Sequence, residues 1–258
     1  MIFAGIDVGS VATKAALIDE EGRVLAREVV ATGAMPKVAA EQAFRKAIGS
    51  AGAAREAAGV VATGYGRRGI DFGDRVVTEI SACAKGVLAE EAPRDRLVAI
   101  DLGGQDTKVI LIGRNGVEDF VMNDKCAAGT GRFLETIARA LDLRVEELGD
   151  LSQQARNPVK INSTCAVFAE SEVISLLAHG ASVEDIVAGI HRSIAERIAG
   201  MLSGFGTPER IVFCGGGAMN TGVTKALDAC LGAVVVVPDS PQFVVAAGAA
   251  RIALDGFS

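Results

Sequence analysis

A segment of 15 residues occurs twice in the chain, and this repetition constrains the fold more than any other feature of the sequence. Residues 5–19 read GIDVGSVATKAALID and residues 99–113 read AIDLGGQDTKVILIG, so that 7 of the 15 aligned positions are identical. Each copy is an apolar stretch ending in aspartate, a turn that contains glycine, and a second stretch that begins with Thr-Lys. This pattern is typical of two strands joined by a tight turn. Two such hairpins predict two similar half-domains.

The glycine-containing turns are suited to phosphate binding. Successive backbone N–H groups in a tight turn point into a concavity that binds anionic oxygens. Asp7 and Asp101 stand where the first strand of each copy ends, and a carboxylate can hold Mg²⁺ directly or through water. Two such turns facing each other would hold a polyphosphate from both sides. The alternative is a pair of ordinary hairpins in which aspartate only begins the turn, and the repetition favours the binding function.

A third glycine cluster follows a predicted strand at residues 210–214. It reads GGGAMN, and its glycines would let the backbone approach a flat ligand before a helix begins near Thr221. Residues 64–69, GYGRRG, formally match the G-x-G-x-x-G pattern of dinucleotide-binding proteins. Residues 67–74 show no helical periodicity, so we set that interpretation aside. The chain has no G-x-x-x-x-G-K-[ST] motif and is therefore not a P-loop protein.

Composition excludes several classes of protein. The 258 residues include 26 basic and 32 acidic side chains, a net charge of 26 − 32 = −6, and no basic stripe that would neutralise a nucleic acid. Half of the residues are hydrophobic, which is enough for a packed core and argues against disorder. The N-terminus lacks a basic, apolar signal peptide, and no apolar run could span a bilayer. We therefore expect a cytoplasmic protein that binds neither membrane nor nucleic acid.

Alternation and helical periodicity predict an α/β protein. Predicted strands cover about residues 2–8, 14–19, 23–31, 59–63, 97–102, 108–112, 116–121, 210–214 and 233–237. Predicted helices cover about residues 36–55, 79–91, 183–203, 220–231 and 242–255, with two more after Cys126 and Cys165.

These motifs together resemble the actin, sugar-kinase and heat-shock ATPase superfamily. DVGS at 7–10 is similar to its first phosphate motif, DLGGQDTK at 101–108 to its second, and FCGGGAMN at 213–220 to its adenosine motif. Residues 79–86 and 246–250 resemble its two connecting helices. The resemblance implies an α/β, actin-like (ribonuclease H-like) ATPase with two similar domains around a nucleotide cleft. Domain I would be residues 1–93 plus 241–258, domain II residues 94–240, and residues 93–96 the hinge linker.

Two further segments resemble one branch of that superfamily. Residues 123–133 and 162–173 are similar to the cysteine-bearing segments of the activators of 2-hydroxyacyl-CoA dehydratases, which are related to the ATPase subunits of benzoyl-CoA reductase. The resemblance implies an anaerobic homodimer with one 4Fe–4S cluster at its interface. ATP would drive an electron from a ferredoxin or flavodoxin donor through the cluster to an iron–sulfur partner enzyme. Relatives that reduce double-cubane cluster proteins share these features.

On this resemblance Cys126 and Cys165 are the cluster ligands, two from each chain. Each precedes a segment of helical periodicity, and a helix N-terminus stabilises a thiolate. A two-fold axis would then complete four ligands. Without the resemblance, two buried or inert cysteines would be the simpler interpretation. The other cysteines, Cys83, Cys214 and Cys230, are expected to be packing residues, and His179 and His191 surface or capping residues.

The resemblance also assigns roles at the nucleotide. Asp7 and Asp101 would hold Mg²⁺, and Glu79 or Gln105 would position the attacking water, with Asp101 also in the catalytic set. Phosphoryl transfer needs mainly positioning and charge stabilisation, so no covalent residue is expected. The residues expected to bind the nucleotide itself are Asp7, Gly9, Ser10, Thr13, Lys14, Asp101, Gly103, Gly104, Gln105, Gly215, Gly216, Gly217, Ala218 and Asn220. A small-molecule kinase and a regulatory nucleotide-binding protein of the same fold remain as alternatives.

Overall fold

The chain forms two compact units in a computed structural model that describes residues 1–52, 57–91, 96–162 and 165–257. Unit 1 comprises Met1–Ala99, Ile110–Phe120 and Pro238–Ser258, and unit 2 comprises Ile100–Val109 and Val121–Val237. The domain limits expected from the sequence stay predictions. Residues 93–95 of the expected hinge linker lie outside the described residues.

The helices and strands follow the order that the sequence predicts. The strands are β1 (Phe3–Val8), β2 (Ala12–Ile18), β3 (Val24–Ala31), β4 (Gly59–Thr63), β5 (Arg75–Val76), β6 (Leu97–Leu102), β7 (Thr107–Gly113), β8 (Gly116–Asn123), β9 (Arg210–Cys214) and β10 (Val235–Val236). The α-helices are α1 (Pro36–Ser50), α2 (Glu79–Glu90), α3 (Gly131–Ala140), α4 (Leu148–Ser152), α5 (Ala166–Ala178), α6 (Val183–Leu202), α7 (Thr221–Leu231) and α8 (Val244–Asp255).

Both sheets have the same strand order, as the repeat predicts. The first sheet runs β3-β2-β1-β4-β5, and the second, read from the matching edge, runs β8-β7-β6-β9-β10. Strands β6 and β7 therefore take the places of β1 and β2. In the first sheet β1 pairs antiparallel with β2 and parallel with β4. The residues of β1, β4 and β6 are all buried, as expected for apolar strands at the centre of a sheet covered on both faces.

Helices α2 and α8, the two predicted connecting helices, pack against each other within unit 1. Their contact depends on glycine. A Cβ on Gly248 would lie 1.8 Å from the carbonyl oxygen of Ala82, and a Cβ on Gly86 would lie 2.1 Å from that of Val244. The backbones therefore approach more closely than any larger residue allows. Helix α1 buries an alanine face over β1, β2 and β3.

The differences from the predicted map are local. Helix α1 ends at Ser50 rather than near residue 55. The last helix begins at Val244, because Pro241–Phe243 forms a 3-10 turn first. Strand β5 has two residues and α4 has five, too few for a periodic signal. Among the described helices, none combines the length and the apolar run that crossing a lipid bilayer requires.

Candidate functional site

The first repeated turn is closed by an ion pair. Asp7 is the penultimate residue of β1 and lies directly opposite Lys14 of β2, with Lys14 Nζ 3.0 Å from Asp7 Oδ2. Asp7 is buried and Lys14 nearly so. Gly9 occupies a position where a Cβ would lie 2.7 Å from the carbonyl oxygen of Ala12. This turn therefore joins a carboxylate, an ammonium group and closely packed backbone within a few residues.

Thr13 stabilises the first turn through a chain of hydrogen bonds. Its buried hydroxyl lies 2.9 Å from that of Thr32, and the Thr32 hydroxyl donates to the Gly9 carbonyl over 2.7 Å. The sequence assigned Thr13 to nucleotide binding. In the structure its hydroxyl is used within the protein, while Ser10 at the tip of the turn is only half-buried.

The second repeated turn adds an acid that sequence reasoning did not assign. Lys108 is the counterpart of Lys14 and is almost completely buried. Its Nζ lies 2.7 Å from Asp106 Oδ1 and 3.7 Å from Asp101 Oδ2. The Gly103 N–H donates to the Asp106 carbonyl, which closes the turn and leaves Gln105 exposed at its tip. Asp106 is part of the DLGGQDTK motif, but only the structure gives Lys108 two carboxylates.

The second turn is also tied to helix α3. The N–H groups of Gly131 and Arg132, the first two residues of α3, donate to the carbonyls of Gly103 and Gly104, each over 2.8 Å. The Thr107 hydroxyl, which is fully buried, donates to the carbonyl of Gly129 over 2.6 Å. These three bonds join the second turn directly to the segment that carries Cys126.

The segment before α3 is held by its own side chains. Asn123 Nδ2 donates to the carbonyls of Cys126 and Ala128, over 3.0 and 2.9 Å, and the Thr130 hydroxyl donates to Ala127. Cys126 is partly exposed and lies before the Thr130 N-cap. The sequence expected the α3 N-terminus to stabilise the Cys126 thiolate. Two of the N–H groups at that end are instead donated to the second repeated turn.

Cys165 lies at the N-terminus of a helix, where the sequence expected it. It is the N-cap residue of α5, is partly exposed, and its side chain forms no capping hydrogen bond. Helices α3 and α5 pack against each other. Cys83 and Cys214 are buried, as expected, whereas Cys230 is exposed, so its assignment as a packing residue is wrong. Within the described ranges, no three or more histidine, cysteine or acidic side chains lie together as a metal site.

The expected adenosine motif follows β9 with a left-handed glycine. Gly215 has φ +84°, and a Cβ there would lie 2.5 Å from both Asp101 Oδ1 and the Leu102 carbonyl oxygen. Gly217 is likewise packed on Leu102, whereas Gly216 faces open space. Two of the three glycines thus serve the close approach of β9 to the Asp101 strand end. Ala218 is buried beside them.

Asn220 caps α7 rather than pointing out of the motif. Its Oδ1 accepts from the N–H groups of Gly222 and Val223, and its Nδ2 lies 3.2 Å from His191 Nε2. His191 is buried, so the expectation of a surface position is wrong for this residue. Burial lowers the pKa of His191 to about 4, and the ring is therefore neutral at physiological pH. His179 is exposed and bonds the Ser175 carbonyl at the end of α5.

Glu79 is the first residue of α2, behind the N-cap residue Thr78, whose hydroxyl accepts from the Ser81 N–H. One Glu79 carboxylate oxygen lies 3.9 Å from Arg67 Nη1. Arg67 belongs to the GYGRRG segment that the sequence analysis set aside. The signal for Arg67 in the sequence is a basic residue in a glycine turn that follows a strand.

Comparisons with known proteins agree with this architecture. The 2-hydroxyisocaproyl-CoA dehydratase activator of Clostridioides difficile is 42% identical over 257 residues, which cover 99% of this chain and 96% of that protein. The structure of the activator of the 2-hydroxyisocaproyl-CoA dehydratase from Clostridium difficile with bound ADPNP superposes with a TM-score of 0.93 at 41% identity, covering 99% and 95% of the two chains. Component A of the Acidaminococcus fermentans (R)-2-hydroxyglutaryl-CoA dehydratase gives a TM-score of 0.94 at 38% identity, with 99% and 98% covered.

These likenesses confirm the actin-like α/β fold expected from the sequence. The model of one protein family, the BadF/BadG/BcrA/BcrD ATPases, matches residues 4–253 and so includes both repeated turns, both cysteine segments and the adenosine motif. The chain belongs to the BadF/BadG/BcrA/BcrD ATPase family.

Proposed function

We propose that this ATPase drives low-potential electron transfer to a 2-hydroxyacyl-CoA dehydratase and so activates it. The electron would come from a 4Fe–4S cluster that bridges a homodimer, with a ferredoxin or flavodoxin as the donor. Support comes from relatives of about 40% identity that are named as activators of such dehydratases. The observation that carries the proposal is the set of hydrogen bonds joining the second phosphate turn to the Cys126 segment.

The residues of the two turns fit a magnesium nucleotide. Mg²⁺ is commonly held by one or two carboxylates together with water and phosphate oxygens. Asp7 and Asp101 each provide one such carboxylate, and Lys14 and Lys108 keep a positive charge beside each of them. The N–H groups of Gly9, Ser10, Gly104 and Gln105 would bind the phosphates, since the Gly103 N–H is already donated to Asp106 within the turn. Gly216, which faces open space, is the adenosine-motif glycine best able to approach the base.

The cysteines fit a cluster shared between two chains. Cys126 and Cys165 are both partly exposed; Cys165 is the N-cap residue of α5, Cys126 lies in the segment that leads into α3, and these two helices pack together. At Cys165, the position at the N-terminus of α5 would favour a thiolate over a thiol. A 4Fe–4S cluster takes four thiolates, so two chains would contribute two each. When bound, it would supply one low-potential electron to the partner enzyme.

The hydrogen bonds between the turn and α3 give nucleotide binding a route to Cys126. The carbonyls of Gly103 and Gly104 accept from α3, and the N–H groups of the same turn would face the phosphates. A change in the turn between the ATP and ADP states would therefore move the start of α3, because the backbone bonds between them are direct. Nucleotide shifts such an equilibrium only through its different affinity for the two conformations.

Hydrolysis itself needs a positioned water. Glu79, held at the start of α2, and Gln105, exposed at the tip of the second turn, are the two residues we propose for that role. Either would accept a hydrogen bond from the water while the lysines and Mg²⁺ stabilise the charge on the phosphoryl oxygens. The experiment is a comparison of ATP hydrolysis in Glu79→Ala and Gln105→Ala, each of which removes the acceptor oxygen.

The test of the whole proposal is anaerobic purification with iron and sulfide analysis, followed by ATP-dependent reduction of an acceptor. We expect about two irons per chain, since one four-iron cluster would serve two chains. Cys126→Ala and Cys165→Ala should lose the iron, and Cys230→Ala, which removes another accessible thiol, should keep it. Retention of iron in Cys126→Ala would refute the ligand assignment.

The same anaerobically purified protein identifies the enzyme that accepts the electron. With ATP and dithionite we expect reduction of a 2-hydroxyacyl-CoA dehydratase. Reduction only of a double-cubane cluster protein or of a benzoyl-CoA reductase would keep the chemistry and change the partner. An iron-free protein that still hydrolyses ATP would remove the electron-transfer function.

A further inference from the structure

The GYGRRG segment of unit 1 is the structural counterpart of the adenosine motif of unit 2. Gly64 follows β4 as Gly215 follows β9, and β4 and β9 hold the same place in their sheets. Gly64 has φ +92° and Gly215 φ +84°. A Cβ on Gly64 would lie 2.5 Å from the Val8 backbone, just as one on Gly215 would lie 2.5 Å from the Leu102 carbonyl oxygen.

The equivalence continues through both turns. A Cβ on Gly66 would lie 2.6 Å from a Val8 methyl carbon, and one on Gly217 would lie 1.9 Å from a Leu102 methyl carbon. Val8 and Leu102 each follow the aspartate of a repeated turn. Arg67–Gly69 and Gly216–Met219 are both 3-10 turns. The same backbone device therefore stands beside each phosphate turn.

The two devices differ in charge at two adjacent positions, which are occupied in unit 1 by Arg67 and the exposed Arg68 and in unit 2 by uncharged residues. Counted from the first glycine of each turn, Arg67 stands where unit 2 has Ala218. Ala218 is buried and neutral, as suits a turn beside a nucleoside. Arg67 puts a permanent cation at the same place in unit 1, next to the end of β1 and its phosphate turn.

Arg67 is held in a defined position within unit 1. The Gly66 N–H donates to the Val8 carbonyl over 2.9 Å, which fixes the start of the 3-10 turn against β1. Arg67 Nη1 donates to the Gly64 carbonyl over 2.8 Å and lies 3.9 Å from Glu79. A guanidinium has five N–H donors, and in the described chain the others on Arg67 have no acceptor. Its side chain is 28% exposed, so these donors can reach a ligand.

A second polar group at this edge also lacks a partner. Thr63 ends β4 and pairs in parallel register with Asp7, so the two side chains lie on the same face of the sheet. Thr63 is fully buried, and its hydroxyl has no hydrogen-bond partner among the described residues. Buried hydroxyls are rarely left unsatisfied, and those that are call for an explanation. A polar ligand beside Asp7 would satisfy this one.

We propose that Arg67 contacts a phosphoryl oxygen of the nucleotide bound at residues 7–10, and thereby distinguishes ATP from ADP. The inference rests on the proposed ATPase function and adds a residue to it. Two sources share this chemistry: the terminal phosphate of ATP and the orthophosphate released after cleavage. A guanidinium donates two parallel hydrogen bonds to such an oxyanion while a third N–H keeps its bond to the Gly64 carbonyl.

The test compares the affinities of Arg67→Ala and Arg67→Lys for a non-hydrolysable ATP analogue and for ADP. Loss of a charge-assisted hydrogen bond typically weakens binding about 10- to 100-fold. We expect that loss for the ATP analogue in Arg67→Ala, a smaller loss in Arg67→Lys, and nearly unchanged ADP binding. Arg68→Ala is the matched control, because Arg68 is the next residue, is exposed and forms no ion pair within the described chain. It should bind both nucleotides as the wild type does.

The outcomes separate this inference from the proposed function. Equal weakening for ADP and the ATP analogue would mean that Arg67 only supports the turn, and unchanged binding of ADP, of the ATP analogue and of orthophosphate would also overturn the inference. If Arg67→Ala weakens orthophosphate binding to the ADP complex alone, the oxyanion is the released phosphate. A wild-type protein that binds neither nucleotide would refute the ATPase proposal itself.

Discussion

Replacing Thr107 with valine tests whether the second repeated turn holds the Cys126 segment in place. The Thr107 hydroxyl donates to the Gly129 carbonyl over 2.6 Å and is fully buried. Valine keeps the shape and removes the donor, which leaves the Gly129 carbonyl without that bond. Loss of a buried hydrogen bond in this way costs about 1–3 kcal/mol. If the cost falls on the local opening of residues 126–132, amide exchange there should accelerate about 5- to 150-fold.

The repeat supplies the matched control. Thr13 is the counterpart of Thr107, is equally buried, and bonds Thr32 instead of the segment before α3. Thr13→Val should cost similar stability in urea unfolding and leave exchange at residues 126–132 unchanged. The measurement is hydrogen exchange read by mass spectrometry on iron-free protein, with the Gly131 and Arg132 amides as reporters. Equal acceleration in both variants, or none in Thr107→Val, would refute the direct tie between turn and cysteine segment.

Two further predictions concern stability. Gly248→Ala would place a Cβ 1.8 Å from the Ala82 carbonyl oxygen and should lower the free energy of unfolding by about 2 kcal/mol or more. Gly256→Ala is the control, because its Cβ would have its nearest contact at 3.5 Å, and it should change that free energy little. Urea unfolding midpoints of the two variants measure the difference. The pKa of His191 is about 4 in the folded protein and about 6.5 in the unfolded chain. Its contribution to the free energy of unfolding is therefore complete above pH 6.5 and is lost as the pH falls towards 4, by up to about 3 kcal/mol. His191→Gln should flatten that part of the stability profile, and an unchanged profile would contradict a neutral buried ring.

The sequence predicts the fold well because its strongest signals repeat. The Asp, Gly and Thr-Lys positions recur at the same spacing, and each copy forms the same strand, turn and strand in its sheet. Short elements are missed for a physical reason. Strand β5 has two exposed residues, which hydrogen-bond to β4 without any pattern of their own. Such elements are fixed by tertiary pairing rather than by local periodicity.

Individual roles at the candidate site are less readable than its motifs. The sequence cannot reveal that Lys108 takes Asp106 as well as Asp101, because a lysine's partners depend on register and rotamer. It also cannot show that the Thr13 hydroxyl is hydrogen-bonded to that of Thr32, the residue that follows β3. His191 lies on α6, whose neighbours α4 and α7 bury faces that a helical pattern alone would leave to solvent.

The two repeated turns form hydrogen bonds to different parts of the chain, and under the proposed function this difference would give two similar turns different roles. The first turn is braced by Thr32, the residue that follows β3 in the same sheet. The second turn is braced through Gly129 and the start of α3, in the segment that carries Cys126. If both turns bind phosphate, only the second is hydrogen-bonded to a cysteine-bearing segment, so a change in its backbone conformation would reach Cys126. The first turn instead has Arg67 beside it. Unit 1 would then recognise the phosphate and unit 2 would transmit its presence.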